Sequence, residues 1–100
     1  SRVVEFVKQF VDSSENRKII VFSQFIATQK ALRDAFPGIS VSLLGEDAAE
    51  KRQEAVERFQ SDPKIRVFVG STIAAGVGLT LTAADTVVFA DLMWSPADHA

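Results

Sequence analysis

The sequence predicts an α/β domain built on a parallel sheet with helices on both faces. Three observations predict it. Short β-branched runs alternate with amphipathic helical segments along the 100 residues. Successive predicted strands begin roughly 20 to 26 residues apart, which is room for one crossover each time. The first of those runs is continuously apolar, as suits a strand covered on both faces.

In chain order, residues 2–13 (RVVEFVKQFVDS) place Val3, Phe6, Val7, Phe10 and Val11 at helical spacing, with Glu5, Lys8 and Asp12 opposite. A polar connection, residues 13–17, leads to a first strand over 18–25 (KIIVFSQF). Thr28 is placed to cap a second helix over 29–36, with Leu32, Ala35 and Phe36 inward. Pro37-Gly38 stops that helix. Residues 39–44 (ISVSLL) alternate and read as a second strand, broken by Gly45. Asp47 is placed to cap a third helix over 48–60, whose stripe is Ala48, Arg52, Ala55, Val56 and Phe59. Asp62-Pro63 turns the chain into a third strand over 65–70, and a fourth covers 86–91. Ser95-Pro96 has the chemistry of a helix start. The chain runs only about one turn further, so a piece of a longer protein is expected.

Composition excludes several classes of function. There is no cysteine, so disulfide scaffolds, Cys-based zinc sites and thiol nucleophiles have no material. The one histidine is His99 and there is no tyrosine, which leaves no Ser–His–Asp triad. No apolar run is long enough to span a membrane, so none is expected as a partner. Apolar residues make up 47% of the chain and charged residues 24%, enough for a packed core. The net charge is −2, which is not the basic surplus of a free-standing nucleic-acid binder. The charge is also uneven. All 11 Lys and Arg precede residue 67, and beyond it the only charges are Asp85, Asp91 and Asp98. That neutral third is expected to be buried or to face a partner.

Ligands of open parallel sheets gather at the carboxyl ends of the strands. Here those ends carry Ser23, Gln24, Gly70, Ser71, Thr72, Asp91 and Trp94. This rim of hydroxyls, an amide and glycines suits contacts to phosphate and sugar. It lacks the paired titratable groups of general acid–base catalysis. The segment 70–85 (GSTIAAGVGLTLTAAD) is neither a phosphate-binding P-loop nor a dinucleotide fingerprint, lacking Gly-Lys-Ser/Thr and a third glycine. Trp94 has two readings, a core aromatic or a ligand contact. Asp85 reads as a turn or cap residue.

Three segments together resemble a known family. IVFSQF (20–25) looks like helicase motif IV. Gly45, Arg52 and Phe59 resemble the Gly-x6-Arg-x6-Phe spacing that follows it. STIAAGVGLTLTAADTVVFADLMWSP (71–96) resembles motif V and its next strand in the Snf-type, Swi/Snf-like ATPases of helicase superfamily 2. The form of that last stretch looks closest to the annealing-helicase-like branch. The resemblance covers about nine-tenths of the chain in the right order.

The resemblance implies that residues 1–100 are one partial domain, the second RecA-like (helicase C-terminal) lobe of a DNA-translocating ATPase, stopping short of motif VI. Its partners would be double-stranded DNA and the first RecA-like lobe of the same protein. ATP and Mg would serve the parent protein, and none is expected in this fragment. By position, Ser23, Gln24, Ser71, Thr72 and Trp94 would be the DNA-binding residues, and Gly76, Gly78 and Thr80 the nucleotide-binding ones. The chain departs from the family at Ile73, where a basic residue is common, at Ala75 for Gly and at Thr80 for Asn. Phosphoryl transfer needs a phosphate cradle, metal ligands and an arginine clamp. In the family these lie on the first lobe and motif VI, so this chain is expected to be part of a motor and not catalytic alone. The parent would be intracellular, nuclear in a eukaryote and cytoplasmic in a prokaryote. The competing reading is a non-enzymatic doubly wound module that presents its neutral last third to a protein partner. A receiver-like domain is disfavoured, since that rim needs clustered acids and a lysine.

Overall fold

The computed structural model describes residues 2–44, 49–71 and 81–93. Four strands, β1 (Ile19–Ser23), β2 (Ser40–Leu43), β3 (Val67–Ser71) and β4 (Thr86–Phe89), form one sheet in the order β2-β3-β1-β4. Each pairing is parallel. The order explains the burial. β1 and β3 are central and buried at every position, whereas β2 and β4 are edges and alternate.

The helices α1 (Arg2–Asp12) and α2 (Ile26–Ala35) cover one face, and α3 (Ala49–Ser61) covers the other. On the first face Val3, Val7, Phe10 and Leu32 pack on Ile19, Val21, Val67 and Val69. On the second, Ala55 and Phe59 pack on Ile20, Phe22, Val41, Leu43 and Phe68. Alternate residues of one strand thus serve two cores. The expected α/β architecture with helices on both faces is what forms.

Several expectations need correction. α2 begins at Ile26 with Phe25 at the N-cap position and no side-chain cap, and Thr28 is buried within it. The reason is tertiary. The chain entering the helix is held instead by Ser23 Oγ, which accepts from the Phe25 N–H at 3.1 Å, and by Asp91, which accepts from the Gln24 N–H at 2.9 Å. Phe6 lies at the border of the α1 stripe and is half-exposed, and Arg52 is exposed on α3. β4 ends at Phe89, and Ala90–Met93 form a 3₁₀ turn, so Asp91 stands on that turn and not on the strand. β3 starts at Val67, because Ile65 and Arg66 serve the connection before it. Gly38 ends the α2 connection with φ of 78°, the left-handed region that glycine enters without strain. The expected features at Gly45, Asp47 and Ser95-Pro96 lie outside the described residues.

Two basic side chains bind elements distant in sequence. Lys18, buried, donates to the carbonyls of Phe59, Asp62 (2.7 Å) and Ile65 (2.7 Å), and so caps the carboxyl end of α3. Burial holds its ammonium below the usual lysine range; Asp62 acts in the opposite direction and Arg66 adds to the depression. Arg66 donates to the carbonyls of Arg17 (2.7 Å) and Ser14 (2.9 Å), fixing the turn between α1 and β1.

Candidate functional site

The carboxyl ends of β1 and β3 meet in register, with Ser23 beside Ser71. Parallel pairing leaves both strands pointing at the same rim, where Gln24 follows Ser23. Both serines are buried. The Ser23 hydroxyl donates to Asp91 Oδ1 at 2.7 Å, and the Gln24 N–H reaches the other carboxylate oxygen at 2.9 Å. From below, the buried Gln29 donates from Nε2 to the Ser23 carbonyl at 2.6 Å. One carboxylate on the 3₁₀ turn after β4 therefore braces the end of β1 and the entry to α2 through two short bonds.

Asp91 is the one acidic side chain of the described rim, and its two oxygens each receive a hydrogen bond, which fixes the carboxylate's orientation toward β1. What faces outward is the Gln24 side chain, which is exposed, and a collar of apolar residues. Phe25 is 45% exposed, Ile26 62% and Leu92 83%, which marks a surface suited to being covered by protein. Among the described residues there is no cluster of three or more His, Cys, Asp or Glu that could hold a metal ion.

Of the predicted DNA-binding residues, the fold brings Ser23, Gln24 and Ser71 together at one rim. The hydroxyl of Ser23 is directed inward to Asp91, so Gln24 is the exposed member. Thr72 and Trp94 lie outside the described residues, as do all three predicted nucleotide-binding residues, Gly76, Gly78 and Thr80. Sequence reasoning noticed Asp91 only as a lone rim acid and missed its pairing, and it passed over Gln29. The available signal was a strand ending in a hydroxyl residue, with one carboxylate at the matching end of another strand. A groove of about 580 Å³ elsewhere is lined by α1 residues including Phe6, Gln9 and Phe10 and does not reach this rim.

Comparison with known proteins bears on the family and the fold. Residues 2–100 match the family of the helicase conserved C-terminal domain. The chain is 38% identical over 89 residues to Helicase SWR1 of Candida albicans, covering 85% of this chain and 5% of that protein. It is 53% identical over 53 residues to Helicase SWR1 of Candida glabrata, covering 53% of this chain and 4% of that protein. The chain thus spans a small fraction of the length of these relatives. Among solved structures, the C-terminal part of the Fun30 ATPase domain superposes with a TM-score of 0.76 at 25% identity, over 95% of this chain and 33% of that one. The Sulfolobus solfataricus SWI2/SNF2 ATPase C-terminal domain superposes with a TM-score of 0.72 at 31% identity, over 96% of this chain and 43% of that one.

Proposed function

We propose, because this chain belongs to the helicase conserved C-terminal domain family and is a Swi/Snf-like, superfamily 2 second lobe, that it supplies half of the motor of an ATP-dependent DNA translocase. The observation that carries the reading is the rim itself. Two parallel strands end in paired serines, the exposed Gln24 follows one of them, and the nearby carboxylate is already hydrogen-bonded. With the Ser23 hydroxyl and the Gln24 N–H held by Asp91, the exposed Gln24 side-chain amide is the donor this rim offers a phosphate chain, and it needs no basic side chain.

Thr72, Gln24 and Ser71 are the proposed contacts to the DNA backbone, with Ser23 positioning Gln24 through Asp91 and Trp94 lying against the duplex. Gly76, Gly78 and Thr80 are the proposed contacts to the nucleotide cleft. ATP and Mg would bind where this lobe meets the first one, which would bring the phosphate cradle and metal ligands. The exposed collar of Phe25, Ile26 and Leu92 supports that partner, since one lobe closing on another buries such side chains. The fragment alone is proposed to be inactive, and the parent to work inside the cell, in the nucleus where it is eukaryotic.

The test is DNA-stimulated ATP hydrolysis by the full-length protein. Thr72→Ala is expected to lower the stimulated rate about tenfold while leaving the DNA-free rate alone, the scale of one lost phosphate contact to a preorganised donor. Unchanged stimulation would remove Thr72 from the proposed interface.

A further inference from the structure

Among the described residues the edge strand β2 pairs only on its β3 side, and the charge beside it opposes the sign of the whole chain. A groove of about 190 Å³ runs beside it, between Arg33 of α2 and Lys51, Glu54 and Arg58 of α3, with Ser42 of β2 in its floor. The four charged side chains are exposed. Three cations against Glu54 and the adjoining Asp34 leave the surroundings of this groove positive on a chain of net charge −2. Arg33 also pairs through Nε with its neighbour Asp34 at 3.0 Å, and a guanidinium has further N–H groups to offer.

The backbone geometry says which way the edge faces. The Ile39 carbonyl accepts from the N–H groups of Arg66 (2.7 Å) and Val67 (3.2 Å), so residue 39 turns its polar groups toward β3. Strand backbones alternate, so Ser40 and Ser42 turn theirs away from the sheet. Val41 and Leu43 send their side chains to the α3 core. A strand added at this edge would therefore alternate its own side chains between the α3 side, where Lys51 and Arg58 stand, and the α2 side, where Arg33 stands.

We propose that this edge of β2, with Arg33, Lys51 and Arg58, is a docking groove for an extended acidic peptide segment that pairs with β2 as a fifth strand. The edge presents N–H donors and C=O acceptors together, and a peptide backbone satisfies both. A phosphodiester chain offers acceptors only, and would set its charge against the outward carbonyls and against Glu54. That contrast favours a peptide over nucleic acid here. Flanking cations on both faces select acidic side chains over basic ones. β2 has four residues, so the paired segment is short, about 13 Å.

The experiment uses the full-length protein and a synthetic eight-residue peptide carrying four glutamates, two on each face of an extended strand. Fluorescence anisotropy is expected to show binding that weakens as salt rises. The double variant Arg33→Glu/Arg58→Glu is expected to bind about tenfold more weakly, and Glu54→Gln about twofold more tightly. Hydrogen–deuterium exchange is expected to slow in the 40–43 segment when the peptide is present. A peptide N-methylated along its pairing edge is expected to lose binding to the unaltered protein, and this arm stands even where the double variant does not fold. The proposal is overturned by no binding of the acidic peptide, by equal binding of its lysine counterpart, or by indifference to N-methylation. It is overturned equally if a duplex oligonucleotide, and not the peptide, protects the 40–43 segment.

Discussion

Asp85 gains its significance from a residue far away in sequence. Arg17 donates from Nε to Asp85 Oδ2 at 2.7 Å and from Nη2 to Thr86 Oγ1 at 3.1 Å, and Thr86 donates to Asp85 Oδ1 at 2.9 Å. The same guanidinium lies 4.6 Å from the centre of the Phe10 ring. One arginine thereby joins the end of α1 to the start of β4. The hydrogen bond from Arg17, then that from Thr86, holds the Asp85 carboxyl below its usual value of 3.8. Because the folded value is depressed, the interaction stabilises the fold above the unfolded value and is lost as pH falls through the folded one. The group is exposed, so the effect on stability is small. Arg17→Met is therefore expected to raise the Asp85 titration midpoint toward 3.8, read by carboxyl-carbon NMR. A midpoint that stays where it was would show that Arg17 is not the cause. The sequence reading of Asp85 was a turn or cap residue; it stands on a bend just before β4, and a contact across 68 positions leaves no local pattern to read.

At the scale of elements, what was legible is what burial pattern dictates. The continuous run at Ile19–Phe22 implied a covered central strand, and the stripe through Ala55 and Phe59 implied the inner face of α3; both hold. What was not legible depends on groups that meet only in three dimensions. Thr28 has the chemistry of a cap, yet α2 starts earlier, where Ser23 and Asp91 hold the chain that enters it. The site was half legible. Ser23 and Ser71 were found from their place at strand ends, whereas the inward direction of the Ser23 hydroxyl follows from Asp91, whose turn looked like strand. Gly70 shows the same limit. Read as the end of a strand, it is in fact the place where the Phe22 ring crosses β3. A Cβ there would lie 2.9 Å from Phe22 Cε1, 3.0 Å from Cδ1 and 3.3 Å from Phe68 Cε1. Both rings are buried, and Phe22 also packs on Phe89 at 5.6 Å between centroids. Gly70→Ala is expected to destabilise the fold by about 1–2 kcal/mol, overpacking outweighing the stabilisation that comes from a less entropic unfolded chain. Urea unfolding checks this, and Phe22→Leu should recover much of the loss. An unchanged midpoint would mean that the Phe22 ring can move aside freely.

At the scale of the whole molecule, the distribution of charge constrains how this lobe can meet DNA. All 11 basic residues precede residue 67, and several are committed inside the fold. Lys18 caps α3, Arg66 holds the α1–β1 turn, and Arg17 pairs with Asp85. Arg33, Lys51 and Arg58 gather at the β2 edge. The rim of Ser23, Gln24 and Ser71 belongs instead to the central strands, and its described side chains include no cation. The salt dependence of DNA binding counts phosphates neutralised by cations, with a log–log slope of about −0.9 per contact on duplex DNA. A rim that works through hydroxyl and amide donors releases few counterions. The folded chain on its own is therefore expected to bind duplex DNA weakly, with a slope no steeper than about −3. Fluorescence anisotropy across a salt series measures it. Rejoining the first lobe should tighten binding and steepen the slope together, since the missing cations would come with it. Tight binding with a steep slope by this chain alone would show that its own basic residues grip the phosphates, and the neutral rim would then not be the surface that DNA meets.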